Sequence, residues 1–180
     1  MPRRFPIILV LLFCSGLSFA QIRDVLPKPA EVTAVVRDFC RLDYAGSRLS
    51  ESGWARMKPL TSWTENPAWR SFRVVSRYDQ TNTAAGARSA RITVRYLPVG
   101  TFEMGIGFTP ESGSYDAEFT VKQVDEEWRI DATSPDPLMP QVSKLAAVQW
   151  LQGKLKTVTD PADKISIETA LKQLAGKQEK

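Results

Sequence analysis

The chain has no histidine, only two cysteines, and little net charge. Each scarcity removes a class of function. Without histidine there is no Ser-His-Asp triad, no histidine metal site and no imidazole switch near neutral pH. Cys14 lies in an N-terminal stretch that reads as a signal peptide, so Cys40 stands alone in the mature chain. A single cysteine makes no internal disulfide, and the domain must rely on its core. The signal reading rests on Arg3 and Arg4, the apolar run Phe5 to Phe13, and the small residues of Ser18-Phe19-Ala20. The run is shorter than the ~20 residues of a spanning helix. Cleavage is expected after Ala20, which leaves an exported chain, periplasmic or secreted, with no membrane span. Lipidation at Cys14 and an uncleaved anchor are the alternatives. The bulky Phe13 before Cys14 argues against lipidation. Removing residues 1–20 takes two arginines and no acids from a formal charge of +4, leaving +2. So small a charge supplies no concentrated basic face for nucleic acid.

What is present is a strong β pattern. In Ser114 to Asp131, the residues Tyr115, Ala117, Phe119 and Val121 alternate with polar ones, and Trp128 and Ile130 do the same after Asp125-Glu126. A two-residue loop at Asp125-Glu126 sets Val121 opposite Ile130 and Gln123 opposite Trp128, on one face. A three-residue loop would split that face, so the first register is expected. It also sets Lys122 against Arg129.

Upstream, Val32, Val35, Val36, Phe39 and Leu42 predict a helix from Pro29 that stops near Gly46. Cys40 lies beside its apolar stripe, as a buried residue or a reactive thiol. Ser50 is placed to cap a short helix through Trp54 and Met57. Trp54, Trp63 and Trp69 crowd an irregular stretch, either plugging the core or stacking on a ligand. Strands are then expected at Phe72–Tyr78, Ala90–Tyr96 and Phe102–Phe108. A polar loop at Asp79–Arg88 and a turn at Pro98-Val99-Gly100 separate them, and Gly105 and Gly107 mark a bend. Residues 134–140 read as a linker. Residues 141–180, with seven lysines and no arginine against twelve arginines in residues 21–140, read as a separable helical arm. The expected organisation is a signal peptide (1–20), an α+β domain (21–140) and the arm (141–180).

The segments PAEVTAVVRDFCRLDYAGSRLSESGW and YDAEFTVKQVDEEWRID carry a resemblance to the NTF2-like superfamily, the cystatin-like α+β cone, over Pro29 to Ala132. The resemblance implies a curved antiparallel sheet of about five strands wrapped around a long N-terminal helix. Enzymes of that superfamily, lyases and isomerases, keep titratable groups inside the cone. Parity puts none here: the inner positions run from Phe72 through Met104, Ile106 and Phe108 to Ile130 without one charged residue. Arg73, Arg77, Arg91, Arg95, Glu103, Asp116, Glu118 and Arg129 fall outside. Asp38 and Asp43 on the first helix are the only nearby carboxylates. The chain therefore reads as non-catalytic, with no cofactor and no metal. Two roles remain: binding a small apolar ligand or partner protein at a cone mouth framed by Tyr44, Trp54, Tyr96, Phe108 and Tyr115, or an interaction role with the core filled.

Overall fold

The structure, a computed structural model, describes residues 29–66, 69–134 and 138–176. The expected signal segment with Cys14, and Pro135 to Pro137 of the expected linker, lie outside the described residues. Helix α1 spans Pro29–Tyr44. Its buried stripe is Val32, Val36, Phe39, Cys40 and Asp43, the 3–4 spacing of one helix face. Gly46 ends it at φ 84°, where a side chain would be strained and would also press on Ala146. Helix α2 spans Glu51–Met57, and the Ser50 hydroxyl accepts its cap bond from the Gly53 amide at 3.1 Å.

Six strands follow: β1 (Ser71–Ala85), β2 (Ser89–Glu103), β3 (Gly107–Pro110), β4 (Tyr115–Val124), β5 (Glu127–Ser134) and β6 (Gln141–Val142). Helices α3 (Lys144–Leu155) and α4 (Pro161–Gly176) close the chain. The sheet runs β5-β4-β2-β1-β6, with β3 paired to the far end of β2. It is curled into a half-barrel, the α+β architecture expected. The β4–β5 register pairs Val121 with Ile130, Lys122 with Arg129 and Gln123 with Trp128, as the shared apolar face requires. Asp125 and Glu126 both have positive φ, 50° and 68°, the backbone of a two-residue type I′ turn. The Lys122–Arg129 repulsion is relieved sideways, by Asp131 on Lys122 at 2.6 Å and Glu127 on Arg129 at 2.8 Å.

Along β1 and β2 the expected punctuation is wrong twice. Residues 79–85 are not loop but the exposed end of β1, paired with β2 up to Ala85–Ala90. Both of its faces meet solvent, so no apolar alternation marked it as strand. Pro98-Val99-Gly100 is not a turn either: β2 runs through it. The register shifts there, opposite Val74 to Arg77 of β1, and an irregular ladder tolerates proline's missing N–H. Gly100 is required because the Phe108 ring and the Thr109 carbonyl lie where its Cβ would be. The real turn is Met104–Ile106, with Gly105 at φ 83°. Ile106, expected inside, is 71% exposed.

This irregularity divides the core. Val75 faces α1, whereas its neighbour Val74 faces the other way. The first core fills the space between α1 and the sheet with Phe39, Met57, Ile92, Val94, Tyr96, Phe119, Val121 and Ile130. Phe39 meets Phe119 edge-on at 5.7 Å. The second core joins Phe72, Val74, Phe102 and Phe108 to Val142, Ala147, Leu151, Ile167, Ala170 and Leu174. Phe72, Val74, Phe102 and Phe108 are thus not inside the cone. Leu138, Gln141 and Val142 are buried, so this stretch is packed structure rather than linker. Each large apolar side chain so buried contributes roughly 1.5–3 kcal/mol.

Two outcomes are expected from this packing. Replacing Asp125-Glu126 by Asn-Gly, residues that adopt positive φ readily, raises stability by about 1 kcal/mol; a urea midpoint that falls would contradict the turn. A chain ending at Gln141 keeps the first core but uncovers Phe72, Phe102 and Phe108, and binds a hydrophobic dye that the full chain does not. An unchanged dye signal would show that the second core is not formed in solution.

Candidate functional site

The element that builds the site is an ion pair. Asp43, in the last turn of α1, and Arg48, in the 3-10 turn Ser47–Leu49, are both buried. Arg48 Nε donates to Asp43 Oδ1 at 2.8 Å and Nη2 to Oδ2 at 2.5 Å, a bidentate fork. The remaining capacity is spent on the chain beyond β5. Arg48 donates to the Leu138 carbonyl at 2.6 Å and the Met139 carbonyl at 3.1 Å, and the Gln141 amide donates to Asp43 at 2.9 Å. The guanidinium lies over the Phe39 ring at 5.2 Å and the Trp69 ring at 5.6 Å. Both oxygens of Asp43 are thus engaged inside the protein, Oδ1 by Arg48 and Oδ2 by Arg48 and the Gln141 amide. Asp43 is structural, and Asp38 is on the outer side with Arg41 at 3.6 Å.

Outside that pair runs a groove of about 640 Å³, between the segment Arg48–Arg70 and helices α3 and α4. Its walls are the indoles of Trp54, Trp69 and Trp150, joined by Ser50, Glu51, Asn66, Arg70, Lys154 and Asp163. Each indole N–H is already spent: Trp54 donates to the Thr64 carbonyl, Trp69 to Asn66 Oδ1 and Trp150 to the Leu49 carbonyl. Arg70 donates to both oxygens of Asp163, at 3.1 and 3.3 Å. Lys154 sits 5.4 Å above the Trp150 ring. Of the three clustered tryptophans, Trp63 does plug the first core, against Phe39 at 6.3 Å. Trp54 is shared between core and groove, and Trp69 lines the groove. The third wall, Trp150, was not visible as a site residue, because it comes from the helical arm.

The five residues expected at a cone mouth are not brought together as one frame. Tyr44, Tyr96 and Tyr115 belong to a row completed by Tyr78, with ring centroids 5.6, 6.0 and 5.5 Å apart. Trp54 is at the groove, and Phe108 is in the second core. The row is largely occupied by its own contacts. Tyr44 donates to the Ser76 carbonyl at 3.0 Å, and Tyr96 shares a 3.2 Å hydrogen bond with the Cys40 thiol. Burial pushes that thiol up to about 12, against the pull of the Tyr96 hydrogen bond. Cys40 is thus protonated and inert at neutral pH, the structural option of the two. Burial likewise pushes the Tyr115 hydroxyl up to about 12, opposed by Arg73, whose guanidinium lies 4.6 Å from the ring centroid. Arg73 also reaches Glu111 at 3.0 Å. On the outer face, Arg95 pairs with Asp116 at 2.8 Å and Arg91 with Glu118 at 3.8 Å, the solvated cross-strand ladder expected there. Among the described residues, no group of three metal-ligating side chains occurs, and no helix is long and apolar enough to cross a membrane.

Removing one partner of a buried pair strands the other charge, so Arg48→Ala is expected to cost about 3–5 kcal/mol. The denaturation midpoint measures it. A loss below about 1 kcal/mol, the range of exposed pairs, would show that Asp43 and Arg48 are solvated.

Compared with known proteins, no solved structure matches the chain. A family model, described as the N-terminal domain of lipoprotein LpqB, matches residues 28–145. The match covers more than half of the 180 residues. It takes in α1, the whole sheet and the Asp43–Arg48 pair, and stops as α3 begins. The chain belongs to the LpqB N-terminal domain family.

Proposed function

We propose that the chain is an exported, non-catalytic binding domain of the cell envelope, and that it binds at the tryptophan groove. The observation that carries this reading is the contrast between the two candidate places. The space between α1 and the sheet is filled by the protein's own side chains, whereas the groove is an open volume of about 640 Å³ walled by three indoles, within the size range of ligand sites. A lipoprotein family fits export, with cleavage after Ala20 or a lipid on Cys14 as the two routes. The curled sheet around α1 supports NTF2-like kinship. It does not revive the lyase or isomerase alternative, because Asp43 is committed to Arg48.

The tyrosine row is the second candidate: Tyr44 and Tyr115 are half-buried at its ends, so a small apolar ligand at the cone mouth is the second reading. Thermal shift against soluble small molecules, oligosaccharides and peptides separates the two. A ligand at a hundred times its Kd adds about 2.7 kcal/mol, or roughly 5–10 °C for a chain of this size. The shift is expected to vanish in Trp69→Ala and persist in Tyr44→Phe. Shifts lost only in Tyr44→Phe would move the site to the mouth.

A further inference from the structure

Three buried polar atoms find no hydrogen-bond partner among the described residues: the Tyr115 hydroxyl, Gln141 Oε1 and Arg129 Nε. Each such atom costs the folded chain its lost hydration. Arg129 lies in the outer ladder, where Glu127 neutralises it. The other two meet at one place. Val74 faces the second core, so Arg73 before it faces the α1 side, not the outer face that parity gave it. There its guanidinium lies 4.6 Å from the ring centroid of Tyr115, which packs on the first core. Gln141 is the register neighbour of Arg73 across the parallel β1–β6 pair, so its side chain shares that face. It is 1% exposed. Its backbone amide donates to Asp43 and its Nε2 to the Met139 carbonyl, which leaves only Oε1 unmatched. Burial acts most strongly on the Tyr115 hydroxyl, and after it come Arg73, Asp43 and Glu111. The two unmatched atoms are thus held against the same residues, Arg73 and Asp43.

The two atoms are of opposite kind. Gln141 Oε1 only accepts, whereas the Tyr115 hydroxyl has a proton to give. The charges around them are already matched, Arg73 by Glu111 at 3.0 Å and Arg48 by Asp43. A charged ligand would therefore lose hydration here without a counter-charge to recover it. We propose that this end of the cone binds a neutral primary carboxamide, its carbonyl accepting from Tyr115 and its N–H donating to Gln141. Tyr115 projects from β4 and Gln141 from β6, with β2 and β1 between them. A head that carries donor and acceptor on separate atoms spans them better than a lone hydroxyl. Tyr115 is only half-buried as a residue, so the rest of the ligand leaves through the mouth. The site is separate from the tryptophan groove and does not depend on it.

Two measurements on the full chain test this. Tyr115→Phe removes an unpaired hydroxyl and keeps the ring, so its urea midpoint is expected to rise above that of the parent chain. Tyr96→Phe, which breaks the bond to Cys40, is expected to lower it. Saturation-transfer NMR then follows benzamide, benzoate and benzyl alcohol, three probes of nearly one size. Benzamide is expected to bind with a Kd of about 1–10 mM, and the other two at least about tenfold more weakly. Its binding is lost in Tyr115→Phe and unchanged in Trp69→Ala. A Tyr115→Phe midpoint that does not rise shows that the hydroxyl is already paired, and overturns the site. So does benzamide that fails to bind, that still binds Tyr115→Phe, or that benzoate or benzyl alcohol matches. Benzamide binding lost in Trp69→Ala alone belongs to the groove, which overturns this proposal and leaves the groove reading standing.

Discussion

The pair of Asp43 and Arg48 is the constraint on which the rest of the structure depends. A carboxylate and a guanidinium removed from water each lose several kcal/mol of solvation, which their attraction recovers only when geometry is good and every remaining lone pair and proton is matched. Here the matching partners are backbone groups of Leu138, Met139 and Gln141, about ninety residues downstream. Satisfying the pair therefore fixes where the chain goes after β5. It must return alongside the end of α1, and from there Val142 pairs with Val74 as β6 against β1. Helix α3 begins two residues later, with Ser143 donating its amide to the Tyr44 carbonyl and capping Ala146 with its hydroxyl. A single electrostatic requirement thus links the sheet with the C-terminal helices.

That linkage explains why the molecule has two cores rather than one. A strongly twisted sheet of long strands cannot keep one face toward one helix along its whole length. The bend near Val75 and Pro98 lets the near half of β1 and β2 serve α1 while the far half turns toward α3 and α4. Phe72 and Phe102 pair across the strands and meet Trp150 at 5.4 and 6.2 Å. The arm is consequently a wall of the second core, and Trp150 reaches the groove because its ring is held between those phenylalanines and the Leu49 carbonyl.

The legible parts of the fold were those where one local rule had no competitor. The β4–β5 register followed from alternation plus a turn length, because any slip would have moved Val121 and Ile130 to opposite faces. Helix α1 and the Ser50 cap followed from spacing and a hydroxyl at the right place. Pro98-Val99-Gly100 defeated the same reasoning because proline and glycine mark bulges as well as turns, and only the partner strand distinguishes them. Residues 79–85 were missed because a strand exposed on both faces carries no alternation. The buried ion pair could not be read at all: Asp43 and Arg48 are close in sequence, but their burial depends on carbonyls near residue 138. Parity did place the charged ladder of Arg91, Arg95, Asp116 and Glu118 correctly, but it assumed a flat sheet and so set Phe108 in the cone.

The same limit governs the site. Tyr44, Tyr96 and Tyr115 were chosen because aromatic residues on an inner face suggest a pocket, yet aromatic residues also fill pockets. Tyr78 inserts between Tyr44 and Tyr96, and Cys40 takes the Tyr96 hydroxyl, so most of the row is occupied from within, and only the buried Tyr115 hydroxyl at its end lacks a hydrogen-bond partner among the described residues. Trp54, Trp69 and Trp150 satisfy only their N–H groups. Their N–H groups anchor them beside the groove, with Lys154 over the Trp150 ring and Arg48 over the Trp69 ring. The placing of Trp69 derives again from Arg48, whose guanidinium lies 5.6 Å from that ring while its charge is held by Asp43.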